Sequence, residues 1–242
     1  MKRILTIQPK HQTNSEDTTL LKRKLAAFTL PVAAFLILLA VGKAIRQVDG
    51  AFWFDSPEYW IYPAQTIFCG VLLIRFWREY EFRAARRIIF SAVIALLVFA
   101  VWISPQALLG FPPRLDGFNP EIFSGQQAAY WTTIVFRFLR LVVVVPLVEE
   151  IFWRGFLLRY LISEQFYAIP VGTFSWLSFA VVTVGFGLAH SRADWIPALI
   201  TGALYNCVAY RTKNLASCVV THAITNLLLG LWIMKNGQWG FW

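Results

Sequence analysis

Apolar and polar positions alternate along this chain on the scale of whole helices rather than single turns. Apolar runs at roughly Leu25–Val41, Trp60–Trp77, Ile88–Ile103, Ala129–Val148, Val171–His190, Trp195–Tyr210 and Leu215–Met234 are separated by short polar breaks. Crossing a hydrocarbon core takes about 20 residues of helix, and an open sheet cannot satisfy its backbone there. The pattern therefore predicts an all-α fold, a polytopic transmembrane helix bundle of about seven to eight helices. The eighth arises if the stretch Ala129–Leu161 breaks near Pro146.

Composition agrees: 58% hydrophobic and 14% charged residues, with a mean hydropathy of +0.58, exclude an ordinary soluble domain. The net charge of +9 does not argue for nucleic acid. In polytopic proteins Lys and Arg gather in cytoplasmic loops and set orientation. Here they gather at Lys2, Arg3, Lys10, Lys22, Arg23 and Lys24, and again at Arg75, Arg78, Arg83, Arg86 and Arg87. Both groups are expected in the cytoplasm, the N-terminus included, in a multi-pass protein of the plasma membrane, the inner membrane in a bacterium. The segment Arg46–Trp60, with Asp49, Asp55 and an aromatic cluster, and the proline-bearing loop Ser104–Gln127 are expected at the outer face. Residues 1–23 read as a polar tail and 24–242 as one membrane domain, with the distinctive chemistry at about 129–234. The first apolar run lacks a small-residue cleavage site and reads as a retained helix. Cys69, Cys207 and Cys218 are isolated in apolar segments, the pattern of small buried hydrophobes rather than disulfides or thiolate ligands.

Polar residues inside these runs are where chemistry is to be sought. Glu149 and Glu150 stand in the tract Leu141–Arg154, and an unpaired charge at the centre of a bilayer costs ~3 kcal/mol or more. Glu150 and Arg154, four apart, share a helix face and can pair. Glu149 is turned about 100° away and is left over, which suits a general base. Phe186 and His190 repeat the four-residue spacing, as do His222 and Asn226, whose side chains could together hold a developing oxyanion. Plainer readings exist for each: an ion pair or an Asn as interhelical glue, a His as a packing residue. Arg137 and Arg140 find no assignment beyond snorkelling or counter-ions.

The ordered motifs Glu149-Glu150-x-x-x-Arg154, Phe186-x-x-x-His190 and His222-x-x-x-Asn226 resemble the CPBP (Abi) family, which includes the type II CAAX prenyl endopeptidases. The resemblance runs from about Leu141 to Leu229, taking in Arg-Gly-Phe-Leu-Leu-Arg after the first motif and Tyr-Arg-Thr before the third. The tract Val145–Arg154 is also similar to a bacterial subgroup found with exosortase-type sorting systems. The resemblance implies that Glu149 and His190 activate the attacking water, that His222 and Asn226 stabilise the oxyanion, and that Glu150, Arg154 and Phe186 support them. It implies no cofactor and no metal, although two histidines and a glutamate also suffice for a three-ligand zinc site. The expected activity is intramembrane endoproteolysis of a membrane-associated protein or peptide, with the lipid bilayer the other partner and no nucleic acid. Two other classes fit the same polar positions: a proton- or ion-coupled transporter, and a non-catalytic membrane scaffold or immunity protein on the same fold.

Overall fold

A computed structural model describes residues 15–46 and 51–242; the expectations for residues 1–14 of the tail and for Asp49 lie outside them. Among the described residues there is no strand. The long helices are α1 (Ser15–Ile45), α2 (Glu58–Arg75), α3 (Ile88–Ala107), α4 (Gln127–Tyr160), α5 (Trp176–Leu188), α6 (Trp195–Thr212) and α7 (Leu215–Asn236). Of these, α1 from Asp17, α3, α4 and α7 are long and apolar enough to cross a membrane. The all-α bundle expected from the hydropathy pattern is therefore present.

The centre of the bundle is α4, a continuous 34-residue helix that does not break at Pro146. Instead it loosens into wider, π-type turns at Leu139–Val144 and Ile151–Leu157, with ordinary helix at Val145–Glu150 between them. Its first half packs on α2, its second half on α1, and α7 lies along it. The pair α5 and α6 forms a tight hairpin, and α6 leans on α3 and α7. One apolar core joins Phe28, Phe35, Val148, Ile151 and Phe166, and a second joins Val98, Val182, Phe186, Tyr205 and Cys218. Glu150 and Arg154 lie at the seam between these cores.

Five prolines sit inside helices, and at four of them a side chain reaches the carbonyl that the missing N–H leaves free. Pro31 cannot donate to the Ala27 carbonyl, and the Tyr80 hydroxyl does so at 2.9 Å. Pro105 frees the Val101 carbonyl, which accepts from Ser104 Oγ at 2.9 Å. In the first π segment Val145 N–H donates five residues back to the Arg140 carbonyl. The next such bond, from residue 146 to the Leu141 carbonyl, is one a proline cannot make; Asn226 Nδ2 makes it, at 2.8 Å. Near the start of α6, Pro197 frees the Ala193 carbonyl, within 3.5 Å of Arg114 Nη2.

The two ends of the bundle differ in character. At one end Arg23 and Lys24 of α1 bond Glu79 at 3.1 and 3.3 Å, Arg159 approaches Glu81 at 3.5 Å, and Ser217 holds the Arg86 backbone. At the other, Arg46 pairs with Glu58, the Tyr59 hydroxyl donates to the Asn119 carbonyl at 2.8 Å, and Arg114 reaches Asp194 at 2.5 Å. Burial raises the Tyr80 hydroxyl pKa at the first end, with Glu79 adding to it. The two clusters assigned to opposite faces of the membrane thus occupy opposite ends of the molecule.

Candidate active site

The site is built on the short stretch of α-helix in α4 that lies between its two π segments. Insertions of this kind reorient the side chains around them and recur at functional positions. Glu150, fully buried, accepts at its Oε1 from Arg154 Nη1 at 3.0 Å. This is the i,i+4 pair the spacing implies. The same oxygen accepts from His222 Nδ1 of α7 at 2.9 Å, while Oε2 is buried without a hydrogen-bond partner.

Arg154 is also fully buried, and its remaining donors go to α6. Its Nε donates to Asn206 Oδ1 and its Nη2 to the Gly202 carbonyl, both at 3.1 Å. A Cβ on Gly202 would stand 3.1 Å from the Thr183 carbonyl, so the bare glycine lets α6 come close to α5 while Gly202 presents its own carbonyl to Arg154. The guanidinium lies over the rings of Phe186 at 4.9 Å and Tyr205 at 5.4 Å, which adds cation–π attraction in a dry setting.

Phe186 is the hub of the arrangement. Besides Arg154, its ring meets the His190 ring at 4.9 Å and the His222 ring at 6.5 Å. The two imidazoles therefore flank one phenyl ring although their helices differ. Here the structure corrects one expectation: α5 stops at Leu188, and His190 lies just beyond it rather than inside a longer helix. The last carbonyls of a helix lack backbone partners, and His190 Nδ1 supplies one by donating to the Phe186 carbonyl at 2.8 Å. At ~1.5 Å per residue the 13 residues of α5 rise only about 20 Å, short of a ~30 Å hydrocarbon core. The outer side of its ring faces Trp102 at 5.6 Å.

Glu149 is half-buried and makes no hydrogen bond or ion pair among the described residues. Its carboxylate interacts electrostatically with Arg140 and Tyr205. No direct bond joins it to His190 among the described residues. Asn226, one turn from His222, is half-buried with one amide N–H committed to Leu141, leaving its second N–H free of a protein partner.

Several neighbours were not singled out from the sequence. Asn206, Gly202 and Thr183 reach the site from α5 and α6, and the Tyr205 ring lies tilted against His222 at 5.1 Å. A polar Asn within the apolar run Ala-Leu-Tyr-Asn-Cys-Val was the available signal. Arg137 and Arg140 do not snorkel; they are 3% and 6% exposed. Arg140 Nε donates to Gln65 at 2.6 Å and lies 4.2 Å over Tyr62, while Arg137 sits 4.8 Å from the rings of Tyr62 and Phe118. Among the described residues, no three His, Cys, Asp or Glu side chains form a group that could hold a metal ion.

Residues 129–228 match the family model described as Type II CAAX prenyl endopeptidase Rce1-like. The matched segment opens within the first turn of α4 and closes inside α7, so it encloses every residue of the candidate site. No curated protein and no solved structure matches the chain.

Proposed function

We propose, from the match of residues 129–228 to the Rce1-like type II CAAX prenyl endopeptidase family model, that the protein hydrolyses a peptide bond of a membrane-associated protein at or within the bilayer. The observation that carries this reading is the gathering of polar groups from α4, α5 and α7 around Phe186 inside an otherwise apolar bundle. Integral membrane proteins bury such groups at a cost that packing alone does not recover.

Glu149 is the proposed general base. It is the carboxylate left without a hydrogen-bond partner, whereas Glu150 is committed to Arg154 and His222. With His190 assisting, Glu149 takes a proton from water as the oxygen attacks the scissile carbonyl carbon. The resulting oxyanion accepts from His222 Nε2 and from the second N–H of Asn226. Collapse of the intermediate breaks the C–N bond, and the proton held by Glu149 passes to the leaving amine. Glu150 and Arg154 fix the helix and the His222 ring rather than touch substrate. The reaction so written needs no metal.

The test uses purified protein in proteoliposomes mixed with solubilised membrane proteins in ¹⁸O-water. The wild type should generate new carboxyl termini carrying the label, and treatment with a chelator should leave their yield unchanged. Loss of a general base typically costs ~10²–10⁴ in rate, so Glu149→Ala should reduce that yield to background. Near-normal labelled cleavage by Glu149→Ala would rule this mechanism out.

A further inference from the structure

We propose that Asn206 is a positioning residue that sets the charge of His222 through Arg154 and Glu150. The four side chains form one buried line across three helices. Asn206 Oδ1 accepts from Arg154 Nε at 3.1 Å, Arg154 Nη1 donates to Glu150 Oε1 at 3.0 Å, and His222 Nδ1 donates to the same oxygen at 2.9 Å. Asn206, Arg154 and Glu150 are fully buried, and His222 is 5% exposed. Water therefore does not compete for these bonds.

The orientation of Asn206 is itself fixed. Its Nδ2 donates to Thr183 Oγ1 at 3.1 Å and toward the Phe179 carbonyl at 3.4 Å, so its oxygen must face Arg154. An oriented neutral acceptor shares the guanidinium without adding charge. Arg154 then reaches Glu150 through one nitrogen, and the second carboxylate oxygen is left unpartnered. That residual negative potential falls on His222. With Nδ1 committed to a carboxylate, His222 presents a donor at Nε2 only as the imidazolium, so its charge decides whether it can serve an oxyanion.

The groups facing His222 are few. Glu149, Glu150 and Arg154 come from α4 and Tyr205 from α6, and His190, whose ring meets Phe186 as His222 does, follows α5. Cys218 is one turn away on α7, and α3 carries no acid or base. The balance at His222 thus rests on Glu150 against Arg154, with residue 206 acting on the second.

The inference rests on the working role proposed for His222, but its readout is His222 itself and not proteolysis. Full-length protein labelled with [¹⁵N]histidine in micelles is titrated by NMR, with the His222→Gln spectrum assigning the signal. Asn206→Asp gives Arg154 a second carboxylate, and His222 should stay doubly protonated to a pH about one unit higher than in the wild type, tenfold in proton affinity. Asn206→Leu, of similar size and uncharged, frees Arg154 to turn fully to Glu150, and His222 should lose its second proton at lower pH. His190 should titrate alike in all three. A purely structural Asn206 would change thermal stability and leave the His222 titration where it was, which would overturn the proposal. Should Asn206→Asp fail to fold, Asn206→Leu decides by the same criterion. A protein that shows these shifts yet cleaves nothing keeps this inference and loses the protease; a protease whose His222 ignores residue 206 does the reverse.

Discussion

Glu150 and Arg154 form a fully buried ion pair whose every bond is to another buried group. Such a pair contributes little relative to apolar residues, but removing one partner strands a charge at a cost of about 3–5 kcal/mol. Arg154→Met should therefore lower stability in micelles by about that amount, read from reversible chemical unfolding. Glu150→Gln, which retains an acceptor, should cost less. The pair was legible because four-residue spacing fixes it locally. Its other partners were not: His222, Asn206 and Gly202 approach from helices remote in sequence, and no spacing rule reports which face of α6 meets α4. For the same reason Arg137 and Arg140 read from the sequence only as snorkelling residues or counter-ions, whereas Tyr62, Gln65 and Phe118 surround them.

At the scale of elements, the prolines explain both the course of α4 and one of its neighbours. Pro146 ends a π-type run and leaves the Leu141 carbonyl to Asn226. A buried acceptor left unmade costs about 1–3 kcal/mol, so Asn226→Ala should destabilise the protein as well as weaken catalysis. Pro146→Ala restores an N–H able to reach that carbonyl. In the double variant the cost of Asn226→Ala should fall by about 1 kcal/mol, the coupling expected of groups serving one acceptor. Additive effects in that cycle would show that Asn226 does not serve the helix. Hydropathy located the helices but not their ends. The first helix starts at Ser15, ahead of its apolar run, because Leu20 to Lys24 are good helix formers whose charges hydropathy scores as a break. The fifth stops at Leu188, and the residues after it turn through Arg192–Asp194 into α6, which the apolar run alone did not foretell. The sequence leaves open a break near Pro146; α4 runs on through it because side-chain repair is a tertiary event.

For the whole molecule, the asymmetry of charge predicts an orientation. Arg23, Arg78 and Arg83 lie at the end where α1 meets Glu79, while Glu121, Arg114 and Asp194 lie at the other. By the positive-inside tendency the first end is predicted to face the cytoplasm. With Cys69, Cys207 and Cys218 replaced, Arg83→Cys should react with a membrane-impermeant reagent only in inverted vesicles, and Glu121→Cys only in right-side-out ones. Labelling of both from one side would contradict that topology. The bundle, its apolar character and the spacing of its three motifs were readable from the chain; the convergence of those motifs on Phe186 needed the helices placed. The most direct test of the central claim compares protein termini in membranes of cells carrying the wild type with those of cells carrying Glu149→Ala at equal abundance. A defined set of cleaved termini present only with the wild type is the predicted result, and identical termini in both would contradict it.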